Sequence, residues 1–288
     1  MKARNLIIMV CAAMTLMGCP TGCPPGNGKN TGNKKEVVGK EAKSDQPLNI
    51  SIYLDLSDRL TRDLTPSQKD RDLAIVGYIA DYFKAQTLGP KILQSKNNIK
   101  VFFYPAPKTS DIATLAADLS LDITKYTGRE KRVALDGMKE KFTKNLTAIY
   151  DKTIKENKWP GCDIWDFFSN KTVDTQCIRK GFRNVLVILT DGYLYDEKHK
   201  VQDGDAFTFV TPATLKIANS SLIIKRTGLD DLEVRILEVN PYDINHRDRL
   251  VSVLENWLKG MGVKDENITV SETELPTNTQ TVIESFLN

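Results

Sequence analysis

A doubly wound, mostly parallel α/β sheet with helices on both faces is the fold class that the sequence predicts, and three observations predict it. From residue 48 onward, apolar runs of strand length alternate with stretches whose apolar residues recur at helical spacing. The most apolar run, NVLVILTDG (184–192), is continuous rather than alternating, as a central parallel strand covered on both faces must be. No internal repeat is visible, so one folded domain over residues 48–288 is the economical reading.

The elements follow in order. NISIYLDLS (49–57) places Ile50, Ile52, Leu54 and Leu56 in alternation and predicts the first strand. Thr65, Pro66, Ser67 and Gln68 read as a helix start, with a Thr cap, Pro at the first position and Gln three residues after the cap. Leu73, Val76, Ala80 and Phe83 continue that helix. IKVFFYP (99–105) is a second strand, and a short strand is expected near 118–124. A long amphipathic helix from about Glu130 to Glu156 carries Met138, Phe142, Leu146 and Ile149 on one face. LEVRILEVNP (232–241) is another strand, and the helix from Asn245 to about Lys259 buries Leu250, Leu254 and Trp257. ENITVSET (266–273) adds an edge strand before a short C-terminal helix. Residues 197–230 break the alternation, with strand-like pieces and no helix, and read as an inserted hairpin, which gives a Rossmann-like sheet with an insertion.

The N-terminus has a different character. Residues 1–19, MKARNLIIMVCAAMTLMGC, set Lys2 and Arg4 ahead of an apolar run from Leu6 to Met17, the profile of a secretory signal. That run of twelve is too short to span a bilayer, which takes roughly 20 residues. Its end, Leu16-Met17-Gly18-Cys19, resembles the bacterial lipoprotein signal, in which the cysteine is lipidated. The resemblance implies that residues 1–18 are removed and that Cys19 becomes the mature N-terminus. Cys19 would then carry a diacylglyceryl thioether and an amide-linked acyl chain, enough for stable anchoring where one chain is marginal. The implied location is a cell or outer membrane, with the domain exported. Pro20 to Pro47 is rich in Gly, Pro, Asn and Lys and reads, with Cys19, as a flexible tether over 19–47. Its root-mean-square reach would be roughly 30 Å.

Composition narrows the chemistry. The 40 Lys plus Arg against 37 Asp plus Glu give a formal charge of +3, too small for a nucleic-acid binder. Loss of residues 1–18 removes Lys2 and Arg4 and no acid, leaving about +1, so lipid rather than charge would hold the protein at its membrane. With only His199 and His246, multi-histidine metal sites are excluded. Both lie in polar surroundings and are expected at the surface. Of five cysteines, one falls in the signal, Cys19 takes lipid and Cys23 lies in the tether. The remaining two, Cys162 and Cys177, are expected to form a disulfide, because an exported protein meets an oxidising compartment. Trp159, Trp165, Phe167 and Phe168 form either a partner-binding rim or core.

Two predicted strands end in carboxylates, one in Asp55-Leu56-Ser57-Asp58-Arg59 and the most buried one in Thr190-Asp191-Gly192. In a doubly wound sheet, ligands sit beyond the carboxyl ends of the strands, near the switch in strand order. Alternation places Asp55 and Ser57 on one side of the chain, and Gly192 permits a sharp turn after Asp191. Two carboxylates and a hydroxyl converging there are hard oxygen ligands suited to Mg²⁺, Mn²⁺ or Ca²⁺.

With DLSDR at 55–59, the WPGCDIWDFF loop at 159–168 and LTDGYLYD at 189–196, the chain resembles the von Willebrand factor A domain family over roughly residues 49–260. That family's DxSxS strand end, Gly-Thr loop and Thr-Asp-Gly strand end hold Mg²⁺ in a metal-ion-dependent adhesion site. One coordination position of the ion stays open for a partner's carboxylate. The resemblance implies Asp55, Ser57 and Asp191 as ligands. Arg59 replaces the second Ser and Cys162 replaces the Thr, with Asp58 and Asp163 beside these lost positions as candidate substitutes. A guanidinium cannot coordinate a cation, and a thiol has little affinity for Mg²⁺. Two outcomes stay open: a divalent cation held by a reduced oxygen set, or Arg59 folding over Asp55 and Asp191 as a metal-free ion-pair cluster.

The function expected is a non-enzymatic, lipid-anchored adhesion or scaffold module at the cell envelope. It would engage a protein partner through the carboxyl-end face, with Arg59 and Tyr193 in contact. The alternative is a metal-dependent envelope hydrolase using Asp55 and Asp191 as ligands. Against it, Ser57 stands where an aspartyl phosphotransferase needs a second Asp, and no Gly-rich phosphate loop is present.

Overall fold

The computed structural model describes residues 46–89, 92–107, 109–193, 201–203, 206–208, 223–241 and 247–287. The expected signal, nearly all of the tether, Cys19, Cys23, His199 and His246 lie outside the described residues.

In chain order the strands are β1 (Leu48–Leu54), β2 (Asn98–Phe102), β3 (Ser120–Asp122), β4 (Arg183–Leu189), β5 (Val201–Asp203), β6 (Ala206–Thr208), β7 (Leu232–Val239) and β8 (Ile268–Glu272). The helices are α1 (Gln68–Thr87), α2 (Ser110–Ala117), α3 (Gly128–Glu156), α4 (Ile164–Ser169), α5 (Thr172–Cys177), α6 (Arg247–Gly260) and α7 (Pro276–Leu287). Six strands form one sheet in the order β3-β2-β1-β4-β7-β8. Only the β2–β3 pairing within it is antiparallel. This is the doubly wound, mostly parallel class that the alternation of elements predicts. Strands β5 and β6 pair antiparallel apart from the sheet, in the segment read as an inserted hairpin.

Both faces of the sheet are covered. One core sets Ile50, Ile52 and Leu54 of β1 against Ile75, Val76, Ile79 and Phe83 of α1 and Met138, Phe142, Leu146 and Ile149 of α3, with Ile283 and Phe286 of α7 beside them. The other sets Tyr53, Leu186, Ile188 and Ile236 against Phe167 and Phe168 of α4, Cys177 of α5 and Leu250, Leu254 and Trp257 of α6. The aromatic cluster of 159–168 therefore divides. Phe167 and Phe168 are fully buried, with Phe167 tilted against Tyr53 at 5.0 Å and Phe168 edge-on to Trp257 at 5.4 Å, while Trp159 and Trp165 are half-buried.

Register is fixed by polar groups at the other end of the strands. Asn49, Asn98 and Asn184 lie opposite one another on three adjacent strands. Asn98 donates to the Asn49 side-chain oxygen and Asn49 donates to that of Asn184, both at 2.8 Å. A slip of one residue would turn these buried amides to the opposite face of the sheet and leave them unpaired, so the row excludes alternative registers.

Three local expectations are corrected. Helix α1 begins at Gln68 with Ser67 as its cap, the Ser67 Oγ accepting from the Asp70 N–H at 3.2 Å, instead of at Thr65 and Pro66. The end of the 159–168 stretch, expected as a loop, forms most of α4, because Asp163 caps that helix by accepting from the Asp166 N–H at 2.8 Å. Cys162 and Cys177 are free thiols, not a disulfide. Cys177 ends α5 beside Asn49 and Ser51, whereas Cys162 lies beside Tyr53 and Asp55. The two helices between them carry the chain from one end of the strand to the other. That offset is two to six residues of β1, roughly 7–20 Å, beyond what a disulfide spans without backbone movement.

Gly192 makes the turn out of β4 at φ +94°, and an added Cβ would lie 2.9 Å from Cγ1 of Val239. Gly192→Ala is expected to destabilise the fold by about 2–4 kcal/mol through left-handed strain and overpacking, read as a lowered urea midpoint.

Candidate functional site

The switch in strand order falls between β1 and β4, since the chain moves outward through β2 and β3 on one side and through β7 and β8 on the other. Asp55 and Asp191 stand at that switch, just beyond β1 and β4. Backbone bonds continue the pairing past the strands: the Asp55 N–H donates to Leu189 O at 3.0 Å, Thr190 N–H to Leu237 O at 3.3 Å and Asn240 N–H to Asp191 O at 3.1 Å. The loop before α4 joins by an antiparallel bridge from Gly161 to Leu56.

Asp55 is 2% exposed and its carboxylate is engaged on both oxygens. One accepts from the Ser57 N–H at 2.8 Å and the other from the Thr190 hydroxyl at 2.9 Å. Ser57 caps a short 3-10 turn (Asp58–Thr61), its Oγ facing the Arg59 N–H at 3.5 Å. The turn sends Arg59 inward, where it is 1% exposed. Its Nε donates to Asp55 O at 3.2 Å and lies 3.7 Å from Asp55 Oδ2. The two remaining guanidinium nitrogens fork onto Asp72 of α1 at 3.4 and 2.6 Å. Asp72 also accepts from Tyr150 of α3 at 2.8 Å and from Gln68 at 2.9 Å. Gln68 and Arg71 in turn reach Glu238, with Arg71 donating to its carboxylate at 2.7 and 3.2 Å and to Glu274 O. Glu238 sits at φ +66° where the β7–β8 register shifts, which turns its carboxylate toward α1.

Arg62 performs a parallel task at the rim, donating to Asp191 Oδ2 at 3.1 Å and to Asn240 O. Asp191 Oδ1 accepts from the Tyr193 N–H at 3.2 Å. Three guanidinium groups, Arg59, Arg62 and Arg71, thus face four carboxylates, Asp55, Asp72, Asp191 and Glu238.

The imbalance shows in the protonation equilibria. Burial, then the Asp55 charge, raises the Asp191 carboxyl to about 7 against the opposing pull of Arg62. Burial works against the Arg59 charge, but Asp72 and Asp55 outweigh it and hold the guanidinium well above its ordinary value. Burial and then Asp55 push the Cys162 thiol well up, and burial and then Asp72 do the same to the Tyr150 phenol. Cys162 is thereby an inert thiol at neutral pH.

The structure brings Asp55, Ser57, Asp191 and Cys162 together at the site but places other expected residues elsewhere. Arg59 is buried and cannot touch a partner. Tyr193 is half-buried against the second core. Asp58 is exposed on the outside of its turn, and Asp163 is spent on capping α4. The donor set does not fit a divalent cation. Mg²⁺ and Ca²⁺ take six or more oxygens, yet both Asp55 oxygens are engaged within the protein and two guanidinium groups already lie against the carboxylates. Among the described residues, no three His, Cys, Asp or Glu side chains form a group that could hold a metal ion.

Asp72, Arg62, Gln68, Arg71, Glu238 and Tyr150 were not foreseen. The signal was present in α1, where Gln68, Arg71 and Asp72 occupy the same helical face as Ile75, Val76 and Ile79. Charges on a core-facing stripe mark a buried polar partner. Glu238 likewise interrupts an otherwise apolar strand end.

No protein-family model and no curated protein matches this sequence. Among solved structures, the fold is similar to an aerotolerance-related membrane protein from Bacteroides fragilis, at 13% identity over 84% of this chain and 98% of that one, with a TM-score of 0.40. BatB from Bacteroides thetaiotaomicron is similar at 12% identity over 83% and 96%, with a TM-score of 0.40. The pilus adhesin SpaC from Lactobacillus rhamnosus GG is similar at 10% identity over 84% of this chain and 30% of that one, with a TM-score of 0.42.

Asp72→Ala leaves the buried Arg59 without its main counter-charge and is expected to cost about 3–5 kcal/mol, measured by urea unfolding. Asp191 titrates near 3.8 when unfolded and near 7 when folded, so the folded state holds the extra proton between those values. Its stability contribution is full below pH 4 and is lost as pH rises through about 7. Asp191→Asn should flatten the fall in stability across that window by at most about 4 kcal/mol, checked by unfolding at several pH values.

Proposed function

We propose that this chain is an exported, lipid-anchored protein-binding module that engages a partner protein with the carboxyl-end face of its sheet. The observation that carries this reading is the position of Asp55 and Asp191 at the switch point between β1 and β4, where a doubly wound sheet presents its ligand-binding crevice. The loops there are joined to one another, by Thr190 to Asp55 and by Arg62 to both Asp191 and Asn240. Such a face is preformed, and a preformed face spends little ordering entropy on binding. Anchoring rests on the Leu-Met-Gly-Cys sequence ending at Cys19. Among the described residues, no helix is long and apolar enough to cross a membrane. Hydrolysis is not favoured, because each Asp55 oxygen already accepts a hydrogen bond within the protein and the Cys162 thiol is held protonated.

Photo-cross-linking in cells tests the face. Probes at the exposed Asp58 and Asp63, beside the site, should capture a discrete protein, and a probe at the exposed Lys180, before β4 at the opposite end of the sheet, should not. Equal capture at all three positions would reject the assignment. Cys19→Ser should release the protein from the membrane fraction, and unchanged fractionation would reject the anchor.

A further inference from the structure

We propose that Arg59 is a built-in replacement for the divalent cation, so that the carboxyl-end face is assembled, and binds its partner, without Mg²⁺, Mn²⁺ or Ca²⁺. The inference rests on the reading of that face as the binding surface and adds how it is charged.

A cation at the ends of two adjacent strands has one structural task, which is to let two carboxylates approach in a water-poor crevice. Arg59 performs the part of that task centred on Asp55. Its Nε lies 3.2 Å from the Asp55 carbonyl oxygen and 3.7 Å from Oδ2, and the side chain is 1% exposed. Arg62 covers Asp191 at 3.1 Å. A metal could enter only if Arg59 withdrew. Withdrawal would strand Asp72, which is fully buried and tied at once to Arg59, Gln68 and Tyr150. An uncompensated buried carboxylate is costly, so α1 and α3 lock Arg59 in place. A guanidinium keeps its charge at every physiological pH and cannot be chelated away.

The sequence places this replacement where a resembling site would present oxygen. Arg59 stands at the last position of Asp55-Leu56-Ser57-Asp58-Arg59, and the thiol of Cys162 removes a second hard donor. Both changes act in one direction, against a hard cation. A coordinated cation offers an open position to a partner's carboxylate, whereas a buried guanidinium offers none. Partner recognition therefore falls to the side chains around the crevice rather than to a bridging ion.

Calorimetric titration of the full chain with MnCl₂ tests this directly. The natural chain should show no saturable heat up to about 10 mM, beyond the range of weak extracellular cation sites. The Arg59→Ser, Cys162→Thr double variant restores oxygen at both positions and should gain saturable Mn²⁺ binding that a further Asp191→Ala removes. Saturable binding by the natural chain, abolished by Asp191→Ala, would overturn the proposal. So would a double variant that is folded by circular dichroism yet binds no Mn²⁺, since Arg59 would then not be what keeps the cation out. A measurement on the natural chain is independent of whether the variants fold: cross-linking at Asp58 and Asp63 should persist in EDTA. Capture that EDTA abolishes would overturn the replacement and leave the binding face standing. Equal capture at Lys180 would instead reject the face itself.

Discussion

The buried contact of Arg59 with Asp72 and Asp55 is the interaction on which the upper half of the molecule depends. It joins the end of β1 to α1, and through Tyr150 to α3, in a region where every neighbouring strand is closed to water. Removing two such charges from water costs several kcal/mol each, and the pair offsets that cost only because its geometry is forked and its spare lone pairs are taken. Gln68 and Tyr150 take those lone pairs on Asp72, and Ser57 and Thr190 take them on Asp55. The cluster is therefore a device of specificity as much as of stability. The cross-strand bonds of Asp55 and the pairing of Glu238 with Arg71 form only when the strand ends and α1 sit at one relative height.

The two ends of the sheet solve the same problem with different chemistry. At the amino ends of β1, β2 and β4, neutral amides of Asn49, Asn98 and Asn184 satisfy one another across three strands, with the Arg183–Glu233–Arg235 ion pairs beside them at β4 and β7. At the carboxyl ends, four carboxylates meet three guanidinium groups, and the surplus negative charge falls on Asp191, which is the least enclosed of the four and the one whose carboxyl is raised to about 7. The amide end holds register. The charged end leaves Asp191, at the rim of the crevice, only partly compensated.

Much of the fold was legible in the sequence because burial writes periodicity into it. Met138, Phe142, Leu146 and Ile149 repeat at helical spacing and all face the core, and the unbroken run after Asn184 could only be a strand covered on both sides. Periodicity failed where short elements are held by capping and aromatic burial, as in α4 and α5, whose six residues each are too few to show a period. The expected Cys162–Cys177 bridge failed for a related reason. Spacing along the chain says nothing of the height at which each residue meets β1.

Within the site, the sequence by itself determined which chemistry was available: Asp55 and Asp191 at the ends of two central strands, Ser57 on the same side of the chain as Asp55 and a guanidinium where an oxygen ligand would otherwise stand. It left open whether that guanidinium turned outward to a partner or inward over the carboxylates. Only the tertiary structure decided this, by bringing Asp72 of α1 and Tyr150 of α3, distant in the chain, beneath Arg59. Side-chain type is a local property, readable residue by residue. Charge compensation in a buried crevice is set by every group the packing delivers to it, and packing exists only in the folded molecule.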